Sequence, residues 1–324
     1  MFIDWKNLFA GAFMALALAG SAGAAGEFPN APIRVIVPYG AGGTGDMVAR
    51  IVGENAGAEL GKAIIIENRS GANGIIGAQV ASKAKPDGYT LMFMATGHVI
   101  LPNVQSVPYD WHKDFTPVFG ITATPLVIAV NAKSGIKSFA DLVAVGKKAP
   151  NGLNYASGGA GSVSHLAAAR LVRDLKINGT HVPFRGFSPA VQALLGDQVN
   201  FICATVADVI ELSKSGNVRL LGVTAEKRQP LLPDVPTMKE QGFADFYASS
   251  WNAYVAPTGT PPEAIERLNA AFAKATADAG VQERLGSLGV SVMPKNRSEL
   301  VKFMNDEEAR WHKVIKDNAI KLEH

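Results

Sequence analysis

Cysteine is nearly absent. The 324-residue chain carries only Cys203, which excludes an internal disulfide and any cysteine-based metal site. Charge of one sign is lacking too. Lys+Arg minus Asp+Glu is 31 − 28 = +3, with no run of five like charges, so there is no electrostatic footprint for nucleic acid. Charged residues are 18% against 48% hydrophobic ones. That excludes disorder as the main state and supplies a sizeable core; the length suits one large domain or two ordinary ones. Catalytic signatures are missing: neither H-E-x-x-H nor G-x-S-x-G occurs. The six histidines are scattered, so neither a metal site nor a cofactor is expected. No 20–50-residue repeat appears, which excludes a solenoid.

Long hydrophobic runs are also missing. Leu8–Leu18 is an uncharged apolar run of about 11 residues, short of the ~20 needed to span a bilayer. Lys6 precedes it and Ala22-Gly23-Ala24 follows, so residues 1–25 read as an export signal cleaved near Ala25 or Gly26. No cysteine near that site offers a lipid attachment point, and the mature chain is expected to be soluble and periplasmic. Residues 322–324 resemble the start of an expression tag and carry no functional weight.

What is present is punctuation. Thirty-three glycines and 18 prolines break the chain into short apolar runs alternating with helical patterns. Strands are expected at Ile33–Val37, Ala63–Ile66, Thr90–Met94, Leu126–Val130, Leu153–Ala156, His181–Pro183, Val199–Cys203 and Arg219–Val223. Helices are expected from about Asp46, over Ile75–Ala84, after Ser138 with Asp141 completing a capping box, and over Ser162–Leu175. Thr260-Pro261-Pro262-Glu263 reads as N-cap, Pro at N1 and Glu at N3 of a helix burying Ile265, Leu268 and Phe272. Alternating strands and helices imply an α/β fold with mostly parallel sheets. One sheet would need nine or more strands, so two lobes are expected.

Gly40-Ala41-Gly42-Gly43-Thr44-Gly45 matches G-x-G-x-x-G between a strand and a helix, with Glu67 at the end of the next strand. Those are the parts of a dinucleotide fingerprint, and an NAD-dependent oxidoreductase is one reading. Against it stand the export signal, the Asp46 carboxylate where a pyrophosphate would lie, and a second loop. Ser157-Gly158-Gly159-Ala160-Gly161-Ser162 repeats the strand–loop–helix context. Two such loops facing each other across a cleft would present N–H groups at helix N-termini to a small carboxylate. Both loops as plain tight turns is the third reading.

The chain also resembles a known family, the periplasmic solute-binding receptors of tripartite tricarboxylate transporters, or Bug receptors. The resemblance rests on Ile33–Pro38 leading into Gly42–Asp46, Glu67–Gly74, Lys85–Leu91, Gly161–Leu166, Val182–Gly186 and Leu232–Thr237, in this order. It implies a two-lobed binding-protein fold (type II-like), each lobe a mostly parallel sheet flanked by helices. Chain crossings would lie near Thr122–Pro125 and Phe243–Trp251, with residues 27–123 plus 246–321 in lobe one and 124–245 in lobe two. It implies a non-enzymatic, monomeric receptor for an organic di- or tricarboxylate, whose partners are the transporter's membrane subunits. A sensor that presents its ligand to a membrane kinase would use the same fold.

The candidate ligand residues follow. Tyr39, Gly40, Ala41, Gly42, Gly43 and Thr44 form the first jaw, with Asp46 as N-cap or contact. Thr96 and His98 follow a strand end, where α/β ligands bind. Ser157, Gly158, Gly159, Gly161 and Ser162 form the second jaw, with His165 one turn in. Thr205 and Asp208 would line the floor, Asp208 chiefly as a cap. Arg185 carries the fork that matches a carboxylate. Phe184, Gly186 and Phe187 flank it, and the two rings favour an aromatic dicarboxylate such as terephthalate, or else pack in the core.

Overall fold

The computed structural model describes residues 28–184 and 186–317. The expected export signal, Arg185 and the expected tag lie outside the described residues. Ten strands follow in chain order: β1 (Ile33–Val37), β2 (Ile64–Asn68), β3 (Thr90–Ala95), β4 (Phe115–Asn131), β5 (Leu153–Ser157), β6 (Gly179–Pro183), β7 (Phe201–Thr205), β8 (Val218–Val223), β9 (Ser249–Pro257) and β10 (Ser291–Lys295).

Hydrogen bonds run in the order β2-β1-β3-β9-β4-β7-β5-β6, with β8 and β10 also on β4. The 17-residue β4 divides this array. Its first part, Phe115–Pro125, pairs with β9; its last part, Leu126–Asn131, pairs with β7 and β8. One strand thus belongs to two sheets. The outer strands β2-β1-β3 and β6-β5-β7 are parallel, as strand–helix alternation predicts. Every antiparallel pair includes β4 or β9. The sheets are therefore mixed rather than mostly parallel, because the long strands that link them run against the rest.

Each sheet is covered on both faces. Val35, Phe93 and Tyr254 pack under the helices Thr44–Leu60 and Pro262–Ala277, the second of which contributes Phe272. Ile36, Met92, Trp251 and Met304 fill the opposite face. In the second lobe Leu126, Leu166 and Phe246 form one core, and Val127, Leu194 and Ile202 the other. Both faces being covered explains why these strands are continuous apolar runs.

The C-terminal helix Arg297–Asp317 joins both halves: Leu300 and Met304 pack with Trp251, while Trp311, Val314 and Ile315 pack with Leu166 and Phe246. Beside β4, the Leu126 N–H donates to Thr224 Oγ1 at 2.8 Å and to the Ala248 carbonyl at 3.2 Å, which stitches the returning chain to the crossing strand. One helix start differs from the sequence expectation. Pro261 holds the N-cap position of the helix Pro262–Ala277, and Thr260 instead donates to the Pro257 carbonyl at 2.7 Å. Ser138 does cap its helix, accepting from the Asp141 N–H at 3.1 Å.

Candidate functional site

The first jaw is a turn that its own helix holds in shape. Gly43 is the N-cap, with no side chain to cap with, and Asp46 is the third helical residue rather than the cap. Its carboxylate reaches back to accept the Gly42 N–H at 2.9 Å, where Gly42 has φ +80°. It also takes Arg50 Nε at 3.0 Å, Arg50 Nη2 at 2.9 Å and Asn68 Nδ2 at 2.9 Å. Burial pushes this carboxyl up, but the bonds from Arg50, Gly42 and Asn68 outweigh it and hold its pKa below the ordinary value. Both oxygens are spent on shaping the loop, so Asp46 is not placed to touch a ligand.

The free donors are elsewhere. The N–H groups of Thr44 and Gly45, in the first helical turn, have no intrahelical acceptor. A Cβ at Gly40 or Gly42 would meet nothing within 4 Å, so this rim faces open space. Tyr39 turns away from it: its ring lies edge-on to His98, centroids 6.2 Å apart, and packs with the Phe93 core.

Thr96 and His98 are closed off. Thr96 Oγ1 accepts the Trp251 N–H at 2.8 Å. His98 is wholly buried, its Nδ1 accepting the Ala95 N–H at 3.1 Å and its Nε2 lying 3.4 Å from the Gly74 carbonyl. Burial drives its pKa down to about 4, so it is neutral. These two residues brace the strand end instead of lining a cleft.

The second jaw is braced from beneath. Ser162 Oγ caps the helix Val163–Asp174, accepting from the His165 N–H at 3.3 Å and donating to the Gly159 carbonyl at 2.6 Å. Ser164 Oγ accepts the Gly158 N–H at 3.2 Å, and His165 Nδ1 accepts the Gly161 N–H at 3.1 Å. The His165 ring stacks on that of His181, centroids 3.7 Å apart and 9° from parallel. His181 Nε2 lies 2.7 Å from Ser157 Oγ, which accepts the Gly159 N–H at 3.2 Å.

Burial, aided for His165 by the neighbouring imidazole, drives the two pKa values down to about 3 for His165 and 4 for His181. His181 did not emerge as a site residue from its sequence context. The register Tyr155↔His181 between β5 and β6 puts it there.

The 184–187 segment belongs to the same jaw: the Phe184 N–H donates to the Ser157 carbonyl at 3.2 Å and the Gly186 N–H to that of Gly158 at 3.0 Å. Phe184 and Phe187 pack against the Ile202 core, with Phe187 also beside Gly158. Thr205 and Asp208 cap each other. The Thr205 N–H donates to Asp208 Oδ2 at 3.3 Å and its hydroxyl bonds the same oxygen. Burial raises Asp208 to about 6 despite those bonds.

Asn73, within the Glu67–Gly74 segment, is not among the candidate ligand residues. It sits in the turn after β2 and donates Nδ2–H to the Ala160 carbonyl at 3.2 Å, so a lobe-one turn touches the second jaw. The dinucleotide reading loses its support here. The Asp46 carboxylate already occupies the Gly42 N–H, and Glu67 pairs with Arg34 at 3.1 Å and with Arg69.

Two lobes, a strand common to both sheets and a glycine loop at a helix start in each lobe are the architecture of a two-lobed solute-binding protein. Residues 48–320 match the model of the tripartite tricarboxylate transporter family receptor, and the chain belongs to that family. It is 33% identical to Protein BugT of Bordetella pertussis over 320 residues, covering 96% of this chain and 97% of the relative. Among solved structures it is similar to Rpa4515 of R. palustris with adipate (TM-score 0.84, 30% identity, 91% and 99% of the two chains). It is also similar to MatC of Rhodopseudomonas palustris with bound malate (TM-score 0.80, 34% identity, 89% and 100%). Members of this family are receptors rather than enzymes. Among the described residues no helix is long and apolar enough to cross a membrane.

Proposed function

We propose that this receptor captures a dicarboxylate between its two glycine jaws and delivers it to the membrane subunits of a tripartite tricarboxylate transporter. It would do so as a periplasmic monomer freed from its export signal, its lobes closing about crossings near Thr122–Pro125 and Phe243–Trp251. The observation that carries this is the contact of Asn73 with Ala160, which sets lobe-one turns against the Gly158–Ser162 loop. Each jaw offers backbone N–H groups at a helix N-terminus, which favour an anion. Arg185, on its sequence position between residues seated on the second jaw, would add a bidentate charge. The adipate and malate of the two similar structures favour an aliphatic chain between the carboxylates; the Phe187 ring beside Gly158 leaves terephthalate as an alternative.

A thermal-shift screen of malate, adipate, terephthalate, citrate and NAD tests the proposal. A dicarboxylate at 100 times its Kd should add about 2.7 kcal/mol, and scattering should record compaction. Stabilisation by NAD alone, or by none of these, would overturn it.

A further inference from the structure

Residues 71–74 form the most unusual backbone in the described chain. Gly71, Ala72, Asn73 and Gly74 have φ values of 131°, 47°, 54° and 91° in succession. Two of them carry side chains, for which this region is costly and is kept only where the surroundings enforce it.

The surroundings do enforce it. Gly74 lies directly over His98: a Cβ there would be 2.6 Å from His98 Nε2, and its carbonyl faces the same nitrogen at 3.4 Å. Gly77, just beyond, would place a Cβ 2.8 Å from Pro38 at the base of the first jaw. The turn is thus clamped to lobe one from below, by a histidine that is itself fixed by the Ala95 N–H.

The clamp has one product on the outer side. It holds an exposed Asn73 with Nδ2 at 3.2 Å from the Ala160 carbonyl. Its Oδ1 stands 3.1 Å from where a Gly159 Cβ would be. Lobe two meets this side chain with two backbone units, at Gly159 and Ala160.

We propose that Asn73 is a latch: a side chain held in a strained turn so that its amide clasps the Ala160 carbonyl when the jaws approach, holding part of the ligand-free population closed. The inference rests on the two-jaw function above but concerns the closing equilibrium, which is measurable without ligand. Closure held by one neutral hydrogen bond is weak, so the free receptor still opens, and a bound anion adds to a bias already present.

The test uses paired spin labels on cysteines introduced at Glu54 and Lys148, one in each lobe; the native Cys203 is buried and is not expected to label. Distance distributions are recorded for the full chain with no ligand, then with malate and with adipate. Asn73→Asp retains shape and tolerance of the left-handed turn but turns the donor into an acceptor facing a carbonyl. Asn73→Gly relieves the turn and removes the amide. Both should lower the closed-to-open ratio without ligand, the glycine variant roughly two- to tenfold and the aspartate variant further.

Unchanged ligand-free distributions in both variants, with unfolding midpoints equal to the parent's, would overturn the latch. Failure of malate and adipate to shift the parent's distribution would instead count against the dicarboxylate reading, leaving the ligand-free comparison to decide on Asn73.

Discussion

Trp251 and Trp311 donate their indole N–H groups to the same oxygen of Glu307, Oε2, at 3.1 and 3.2 Å. Trp251 stands on β9, and Trp311 lies on the part of the C-terminal helix that packs with Leu166 and Phe246. The other carboxylate oxygen takes Arg310, which also donates to the Tyr247 carbonyl. A buried carboxylate with three donors ties the helix to the returning chain. Glu307→Ala strands two buried indoles and should cost about 3 kcal/mol. Glu307→Gln keeps an acceptor and should cost about 1 kcal/mol. Urea unfolding followed by tryptophan emission checks both; equal midpoints for the two variants would remove the carboxylate's special role.

Asp46 should matter to binding without touching ligand. Asp46→Ala frees Arg50 and Asn68 and leaves the Gly42 N–H without its acceptor, for about 2–3 kcal/mol of stability. A loosened first jaw should weaken carboxylate affinity roughly tenfold, about 1.4 kcal/mol, by calorimetry. Stability lost with affinity intact would show that the loop's shape is irrelevant to capture.

The two jaws should respond differently to added methyl groups. Gly40→Ala meets open space and should fold within about 0.5 kcal/mol of the parent, yet crowd the ligand rim. Gly159→Val is a poor probe of closure alone. Gly159 has φ +152° and Gly161 +75°, so a side chain strains the turn as well as meeting Asn73. Loss of binding in Gly40→Ala with an unchanged melting temperature is the informative result.

The pH dependence follows from buried histidines. His98, His165 and His181 titrate at about 4, 3 and 4 in the folded chain, against about 6.5 when unfolded. Between these limits the unfolded chain binds more protons at the three histidines, so their contribution is full above about pH 6.5 and falls with acid towards pH 4, offset in part by Asp208, raised by burial to about 6, which stabilises as it protonates. His98 alone should account for a loss on the order of 2–3 kcal/mol at pH 4.5. Denaturant midpoints that stay flat from pH 7 to 4.5 would contradict neutral burial of these rings.

Arg185 remains a sequence-based expectation. Arg185→Ala should cost roughly 2–5 kcal/mol of dicarboxylate binding, and Arg185→Lys less. A calorimetric affinity within about 0.5 kcal/mol of the parent for the alanine variant would leave the jaws' N–H groups as the sole anion donors.

The outer strands were legible because parallel strands covered on both faces are short apolar runs between glycine turns, as at Ile33–Val37 and Thr90–Ala95. The linking strands were not. The first part of β4 contains Pro117 and Gly120, each beside a register shift against β9, and β10 contains Pro294; these residues read as breaks. β9 opens on Ser249, Ser250 and Asn252, so only Ala253–Ala256 in its second half announces it, as a run of four. The jaws were visible as glycine loops, but their supports were not. His181 meets Ser157 through strand register, and Asn73 meets Ala160 across 87 positions of sequence. Local pattern carries no trace of either.

A strand that is common to two sheets has no loop within it to swing. On the proposed closure, relative rotation of the lobes would be absorbed as twist along Ile121–Leu126, beside the register shift between Gly120 and Thr122, and in the chain stitched beside it at Thr224 and Ala248. Such a joint would work as an elastic flexure, its restoring torque belonging to the backbone rather than to the cargo. Substitutions in the jaws should therefore alter what is held and for how long, while the range of opening stays a property of the sheet.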